Sequence, residues 1–299
     1  YKVSKSFLQQ LGLNVSTVNP KKIKIFGNGG RMLPLSNNIP YPSDLAENAI
    51  EIIGENDGIF NNEDYILFYA EGVDTWNEES KTNNNLYDTK SYYYVTVQGG
   101  DGKRIQNMIQ PTENSTLTLN TFDSRQFHEL DLVNISHTGR QWFGEAFDIN
   151  QEQEFEFNFP NIEAAIPVKI LVNTSSVAFT TTSFKVLANG QDLGVINFPA
   201  LVAYSGIEFN SGSLPTNISF PASENIKIKL TYDNNGVPGS RGYLDNIRLT
   251  AKSKLQGYGK QFQFQYDLSN SSIGIVSYDV SNASGISQIW DVTDLQNAT

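Results

Sequence analysis

Hydrophobic and polar positions along this chain mostly alternate with a period of two, the pattern of half-buried strands rather than helices. A helical face is read near the start, where Phe7, Leu8 and Leu11 line one side of 5–11. Ser4 or Ser6 can cap that segment and Gly12 stops it. Alternating strands follow at 23–26 (IKIF) and 49–53 (AIEII). The run 65–69 (YILFY) has no polar alternation and reads as a strand buried on both faces. The tyrosine-rich run 92–97 (YYYVTV) is a further strand, ended by Gly99-Gly100-Asp101-Gly102, and a short one is expected at 115–119 after Pro111.

From Glu154 the strand series is uninterrupted. Residues 154–159 (EFEFNF) alternate strictly, and strands are expected at 168–173, 183–187, 192–198, 207–209, 226–232 and 242–249. Hairpin turns are predicted at Ala188-Asn189-Gly190-Gln191 and at Asn234-Asn235-Gly236. Residues Gln256 to Gly259 read as a hinge, followed by strands at 261–266 (QFQFQY), 274–280 and 286–292 that are expected to pack back on the first domain. The fold class is therefore all-β, mainly antiparallel, with few short helices. Three segments are expected: a β-rich domain over 1–117, a jelly-roll-like β-sandwich over 118–256, and closing strands over 257–299.

Composition narrows the function classes. Hydrophobic residues make up 39% of 299, enough for two cores, and aromatics, glycine and abundant Asn, Ser and Thr suit short strands joined by turns. The formal charge of −11 argues against nucleic acid or anionic lipid as a partner, because both need a basic face. Cysteine is absent, which excludes a disulfide framework, a thiolate metal site and a cysteine nucleophile in this chain. No apolar run approaches the roughly 18 residues of a helical membrane span. Tyr1 is not an initiator residue, as expected of a trimmed N-terminus, and the Asn-x-Ser/Thr triplets (Asn14 and Asn270 among them) fit chance in so Asn-rich a chain.

Candidate chemistry is sparse. Gly27-Asn28-Gly29-Gly30 follows a strand, but the spacing is not GxGxxG and prolines 34, 40 and 42 replace the helix a phosphate site needs, so it reads as a turn. Glu55, Asp57 and Asp64 around Gly58 resemble a calcium loop, yet the register puts Ile53 where the first carboxylate must stand, so a hydrogen-bonded turn is expected. The only histidines, His128 and His137, sit beside no nucleophile signature and read as packing and hydrogen-bonding residues. Glu145 with Glu154 or Glu156 could form a carboxylate pair for glycoside hydrolysis, at a separation the sequence does not give. Asp245 could join a structural calcium or satisfy backbone groups at a strand end. Trp142 or Tyr243 could carry a sugar, as could the tyrosines at 92–94. No catalytic residue, metal site or cofactor is assigned.

Three separated blocks carry a family resemblance: DGIFNNEDYILFYAEG at 57–72, HTGRQWFGE at 137–145 and IWDVTD at 289–294. In this order they resemble the N-terminal, non-catalytic region of the sortases of the type IX secretion system of Bacteroidetes, surface proteins with a gingipain-type cysteine peptidase domain. The resemblance implies that the whole relative removes C-terminal signal domains from secreted cargo and attaches the cargo to an anionic lipopolysaccharide, using a cysteine and a histidine. Those residues map to no position here, since the chain has no cysteine. The implied partners are a peptidase domain in the same full-length chain, an outer-membrane partner of the secretion system and cargo signal domains, with no nucleic acid. The implied location is the bacterial cell surface, associated with the outer membrane. The alternative is a carbohydrate-binding β-sandwich of a surface protein, because YLDNIRL at 243–249 is similar to the last strand of many sugar-binding jelly rolls.

Overall fold

The structure, a computed structural model, describes residues 1–137, 139–265, 267 and 274–299. The chain divides into two compact units, one of Tyr1–Gln110 with Ser287–Thr299 and one of Pro111–Ile286. Thr138, Tyr266 and the Asn270 triplet lie outside the described residues.

The first unit is built of very short elements. Strand β1 (Lys2–Ser4) runs straight into helix α1 (Lys5–Gln10), whose Phe7 amide donates to the Ser4 hydroxyl at 3.2 Å, and Gly12 at φ +86° ends it. Next come β2 (Lys24–Phe26), β3 (Glu47–Asn48), β4 (Ile50–Ile53), β5 (Tyr65–Phe68) and β6 (Tyr94–Thr96). They form two three-stranded antiparallel sheets, β1–β5–β4 and β3–β2–β6. Period-two positions such as Ile50, Ile52, Ile66 and Phe68 meet Leu8, Ile23, Ile25 and Phe60 in one core. β5 is buried on one face alone. Ile66 and Phe68 point into the core, whereas Tyr65 and Leu67 are half-buried and the Lys2 ammonium lies 3.7 Å over the Tyr65 ring.

Ser287–Thr299 belongs to this unit without forming the strand expected at 286–292. The Ala49 amide donates to the Gln296 carbonyl at 2.9 Å, Gln288 donates to both oxygens of Glu51 at 2.9 and 2.8 Å, and Ala298 is buried. Backbone groups of Asp291 and Thr299 bond to each other at 2.8 and 3.1 Å, which folds the WDVTD block into a closed loop.

The second unit is a two-sheet sandwich. Its strands are β7 (Leu117–Leu119), β8 (Thr121–Glu129), β9 (Ala146–Phe147), β10 (Glu152–Asn158), β11 (Val168–Val177), β12 (Thr182–Ala188), β13 (Gln191–Phe198), β14 (Asn210–Ser213), β15 (Ser219–Phe220), β16 (Asn225–Asp233), β17 (Arg241–Lys254) and β18 (Val276–Tyr278). One sheet runs β14–β11–β17–β8, with β15 on β11 and β9 on β17, and the other runs β10–β16–β12–β13. Inward residues of both sheets, among them Phe155, Phe157, Val172, Phe184, Leu230 and Leu249, form a single core.

Asn189 at φ +48° and Gly190 at φ +82° make the predicted two-residue hairpin between β12 and β13. Asn234 to Gly236 does not close a hairpin, because β16 and β17 lie in different sheets and this turn carries the chain between them. The strand expected at 207–209 falls instead at β14. Phe209 leaves the sheet to meet Phe143 edge-on at 5.1 Å, and Ile207 is exposed.

The expected hinge at 256–259 is fastened. A Cβ on Gly257 would lie 2.4 Å from the Asn282 carbonyl oxygen, and the Gly257 amide donates to Ser281 at 2.9 Å. Residues 261–265 form no strand. Phe262 and Phe264 pack on Phe122, and β18 pairs in parallel with β7, so this stretch sits with the second unit.

Candidate functional site

A cluster of titratable groups lies where β8 and β17 run side by side in the second unit. Leu244 faces the core, and so do Ile247, Leu249 and Ala251, an even position followed by odd ones. A strand can switch parity only through an extra residue. The register supplies it: Asn173 pairs with Asn246 and Thr174 with Leu244, which leaves Asp245 opposite no residue of β11. The bulge buries Asn246 and leaves Asp245 half-buried. Asp245 Oδ1 accepts from Asn246 Nδ2 at 2.9 Å, and Asn173 Nδ2 donates to Asn246 Oδ1 at 3.1 Å.

Burial pushes the Asp245 carboxyl up to about 6, and the neighbouring charges of Glu129 and Asp131 add to that against the Asn246 hydrogen bond. Nearby, His128 Nε2 and Glu145 Oε1 are 2.7 Å apart, and the imidazole ring lies 4.7 Å from that of Phe155. Burial raises the Glu145 carboxyl, but the His128 hydrogen bond, its own backbone amide and the His128 charge outweigh this and hold it below the usual range. Its other oxygen, Oε2, is buried with no hydrogen-bond partner. Among the described residues no group of three His, Cys, Asp or Glu is placed to hold a metal ion. The arrangement can store a proton on Asp245 and tie the 144–145 segment to the sheet, where Gly144 and Glu145 exchange backbone bonds with Leu244 at 2.7 and 3.0 Å.

The other candidates of the sequence are dispersed. Glu154 and Glu156 lie on the outer side of β10 beside Lys227 at 2.9 and 3.5 Å, whereas Glu145 faces His128, so the carboxylate pair for glycoside hydrolysis is not assembled. His137 sits in an exposed turn at φ +52°. Tyr243 is buried 6.2 Å from Phe143, which withdraws it as a sugar platform, while Trp142 is half-exposed.

In the first unit, Glu55 forms an ion pair with Arg104 at 2.9 Å. Asp57 accepts from Ile59 and Asn61, and Asp64 from the Asn61 amide at 2.7 Å, so these acids close turns. Gly27 is required by the Tyr93 ring, which a Cβ would meet at 2.5 Å, and Gly30 by the Gly72 carbonyl at 2.3 Å. Tyr93 packs edge-on against Phe68 at 5.4 Å, while Tyr92 and Tyr94 are exposed. An open cleft of about 370 Å³ lies between Arg31, Glu71, Thr75, Trp76 and Asn77, with Arg31 and Glu71 paired across it at 2.9 Å.

Two features escaped the sequence reading. Arg104 donates to Glu55 and to the carbonyls of Pro20, Lys21, Ile23 and Lys103, and nothing local in the sequence marks it. The bulge did leave a signal: Leu244 and Ile247 are three apart in a strand of period two.

No family model matches the chain, and no curated protein sequence matches it. Among solved structures, the chain is similar in fold to the dimeric latent PorU of Porphyromonas gingivalis, with a TM-score of 0.69 and 19% identity over 89% of this chain. The chain spans about a quarter of that protein's length, 24%. Shorter matches include a CBM36 carbohydrate-binding module in complex with calcium and xylotriose (TM-score 0.26, 17% identity, 42% of this chain and 98% of the module) and a Bacillus thuringiensis Cry1Da tryptic core variant (TM-score 0.25, 16% identity, 34% of this chain and 17% of the toxin). Matches this distant in fold carry no functional argument. A β-rich, PorU-like fold is the common ground of the chain and the first of these structures.

Proposed function

We propose that this chain is the N-terminal, non-catalytic part of a type IX secretion sortase, working at the bacterial cell surface beside the outer membrane. Its role is to position a gingipain-type peptidase domain in the same polypeptide and to dock cargo signal domains or an outer-membrane partner. The observation that carries this reading is the likeness in fold to PorU over 89% of the chain, which extends through both units. The IWDVTD block, which in the resembled family stands just upstream of the peptidase domain, adds support. It lies in the segment tied to the first unit through Ala49 and Glu51.

The test is mass spectrometry of the native protein purified from outer membranes. The expected result is this chain covalently continuous with a downstream segment that contains a cysteine and a histidine. A native polypeptide that ends near Thr299 overturns the reading and moves the glycan-binding alternative ahead, now resting on Trp142 without Tyr243.

A further inference from the structure

The segment between β8 and β9 is fastened at its base. Leu132 and Val133 each donate to the Phe143 carbonyl at 2.9 Å, and Phe143 donates back to Val133 at 2.8 Å. Beyond this bridge the returning stem meets β17, where Gly144 donates to Leu244 at 2.7 Å and Leu244 donates to Glu145 at 3.0 Å. The fastened stem buries Phe143 against Tyr243 and Phe209. Both bonds to β17 fall on Leu244, the residue before the bulge, so the stem and the bulge share one anchor.

Titratable groups bracket this base on both sides. On the core side His128 stands opposite Ile247 with its ring against Phe155, and its Nε2 lies 2.7 Å from Glu145 Oε1. Glu145 Oε2 is buried with no partner, so half of this carboxylate is desolvated without return and His128 holds it in place. A protonated His128 makes the contact an ion pair, which strengthens the hold. On the outer side Glu129 stands opposite Asn246, and its charge and that of Asp131 act on Asp245. Across from the bulge β11 presents the uncharged Asn173 and Thr174, and Glu154 and Glu156 beside Phe155 turn out to Lys227. Arg248 lies further along β17.

Asp245 is the group that changes. Burial and the charges of Glu129 and Asp131 push its carboxyl up to about 6, so it is protonated in mild acid and ionised at neutral pH. Once ionised it is a third carboxylate beside Glu129 and Asp131, next to the residue that anchors the stem. Repulsion and desolvation then favour an arrangement that admits water, and parting the stem from β17 does so. Glu145 is held below the usual range, so it stays ionised in mild acid and keeps its contact with His128 there. Both sides of the base therefore favour the fastened form below neutrality. We propose that this base is a pH-operated clasp: residues 143–145 close on β17 in mild acid and open from it as the pH rises to neutral, uncovering Phe143 and Tyr243. The device does not depend on the sortase reading.

The test is hydrogen exchange on the whole 299-residue chain at about pH 5 and about pH 7.5, read as protection factors that remove the intrinsic effect of pH. Protection of the Gly144 and Leu244 amides should fall about tenfold at the higher pH, the size of one pKa unit of coupling. At both values these amides should exchange faster than the bonded amides of β12 and β16, because the clasp opens without unfolding the sandwich. Asp245→Asn, a change of nearly equal shape, should remove most of the pH difference. His128→Gln keeps an N–H donor without the ring's charge and should lower protection in mild acid. Equal protection of the parent at the two pH values, or a difference undiminished in Asp245→Asn, would overturn the proposal. So would amides of Gly144 and Leu244 that exchange as slowly as those of β12 and β16, since the stem would then leave only when the whole sandwich unfolds.

Discussion

The two units hold themselves together differently. Among the described residues the second has strands of up to 14 residues and a continuous core of 24 buried apolar residues, so apolar burial supplies most of its stability. The first has strands of two to four residues and ten core residues, and its loops are fixed by polar groups that reach across long sequence separations. Arg104 is the clearest case, with five hydrogen bonds that gather residues 20–23, Glu55 and its own neighbour Lys103. Short strands give few ladder bonds and little apolar area per turn, so side-chain polar groups must supply the connections.

The comparison can be broken at its strongest point first. Phe184→Ala removes a fully buried ring that contacts Phe147, Phe198 and Tyr232, and should destabilise the second unit by about 3–5 kcal/mol. Calorimetry should show the transition of that unit moving while that of the first stays. If both move together, the units are not energetically distinct.

Arg104→Ala should cost the first unit about 2–3 kcal/mol by leaving a half-buried Glu55 without its ion pair and taking one donor from four carbonyls, of which those of Pro20, Lys21 and Lys103 keep a backbone donor. Hydrogen exchange would then quicken at amides of β2 and β4 but not in the sandwich. An unchanged exchange pattern would mean that the first unit also rests on its apolar core.

Asp245→Asn sharpens the contrast from the other side, since it changes a half-buried polar group where the core otherwise dominates. The folded pKa of about 6 lies above the ordinary 3.8, so between those values the folded state binds more protons than the unfolded one. Wild-type stability should therefore fall as pH rises from about 4 to about 6 and level off above. The asparagine variant should lack that slope and gain roughly 1–2 kcal/mol near pH 7.5. Denaturant midpoints across this range decide it, and a slope that persists in the variant would place the proton elsewhere. The smallest effect is expected of Lys227→Ala on the outer face of β16. Its bonds to Glu154 and Glu156 are exposed, and the melting temperature should not change measurably.

Much of the sandwich was legible because its strands obey a strict period of two. Glu154 to Phe159 reads its own burial, with Phe155, Phe157 and Phe159 inside and the glutamates outside. The Asn189-Gly190 turn is equally local, since only residues tolerant of positive φ make it. The strand misplaced at 207–209 had the right composition. Its Ile207 is exposed because the loop needs anchors at Leu201 and Phe209, a requirement set by Phe143 far along the chain. The candidate site was legible as residue types but not as a place. His128, Glu145 and Asp245 were each noted, and only the β8–β17 pairing brings their segments together.

By itself the sequence determined the class of fold, the absence of thiol chemistry and the alternation that buries one face of each sandwich strand. These follow from local periodicity and composition, which are fixed residue by residue. Tertiary structure alone decided that the WDVTD segment closes into a loop rather than a strand, and that Asp245 becomes a half-buried bulge residue with a raised pKa. Each of these depends on contacts between positions tens to hundreds of residues apart. Their free energy comes from burial and pairing, and a linear pattern does not encode it.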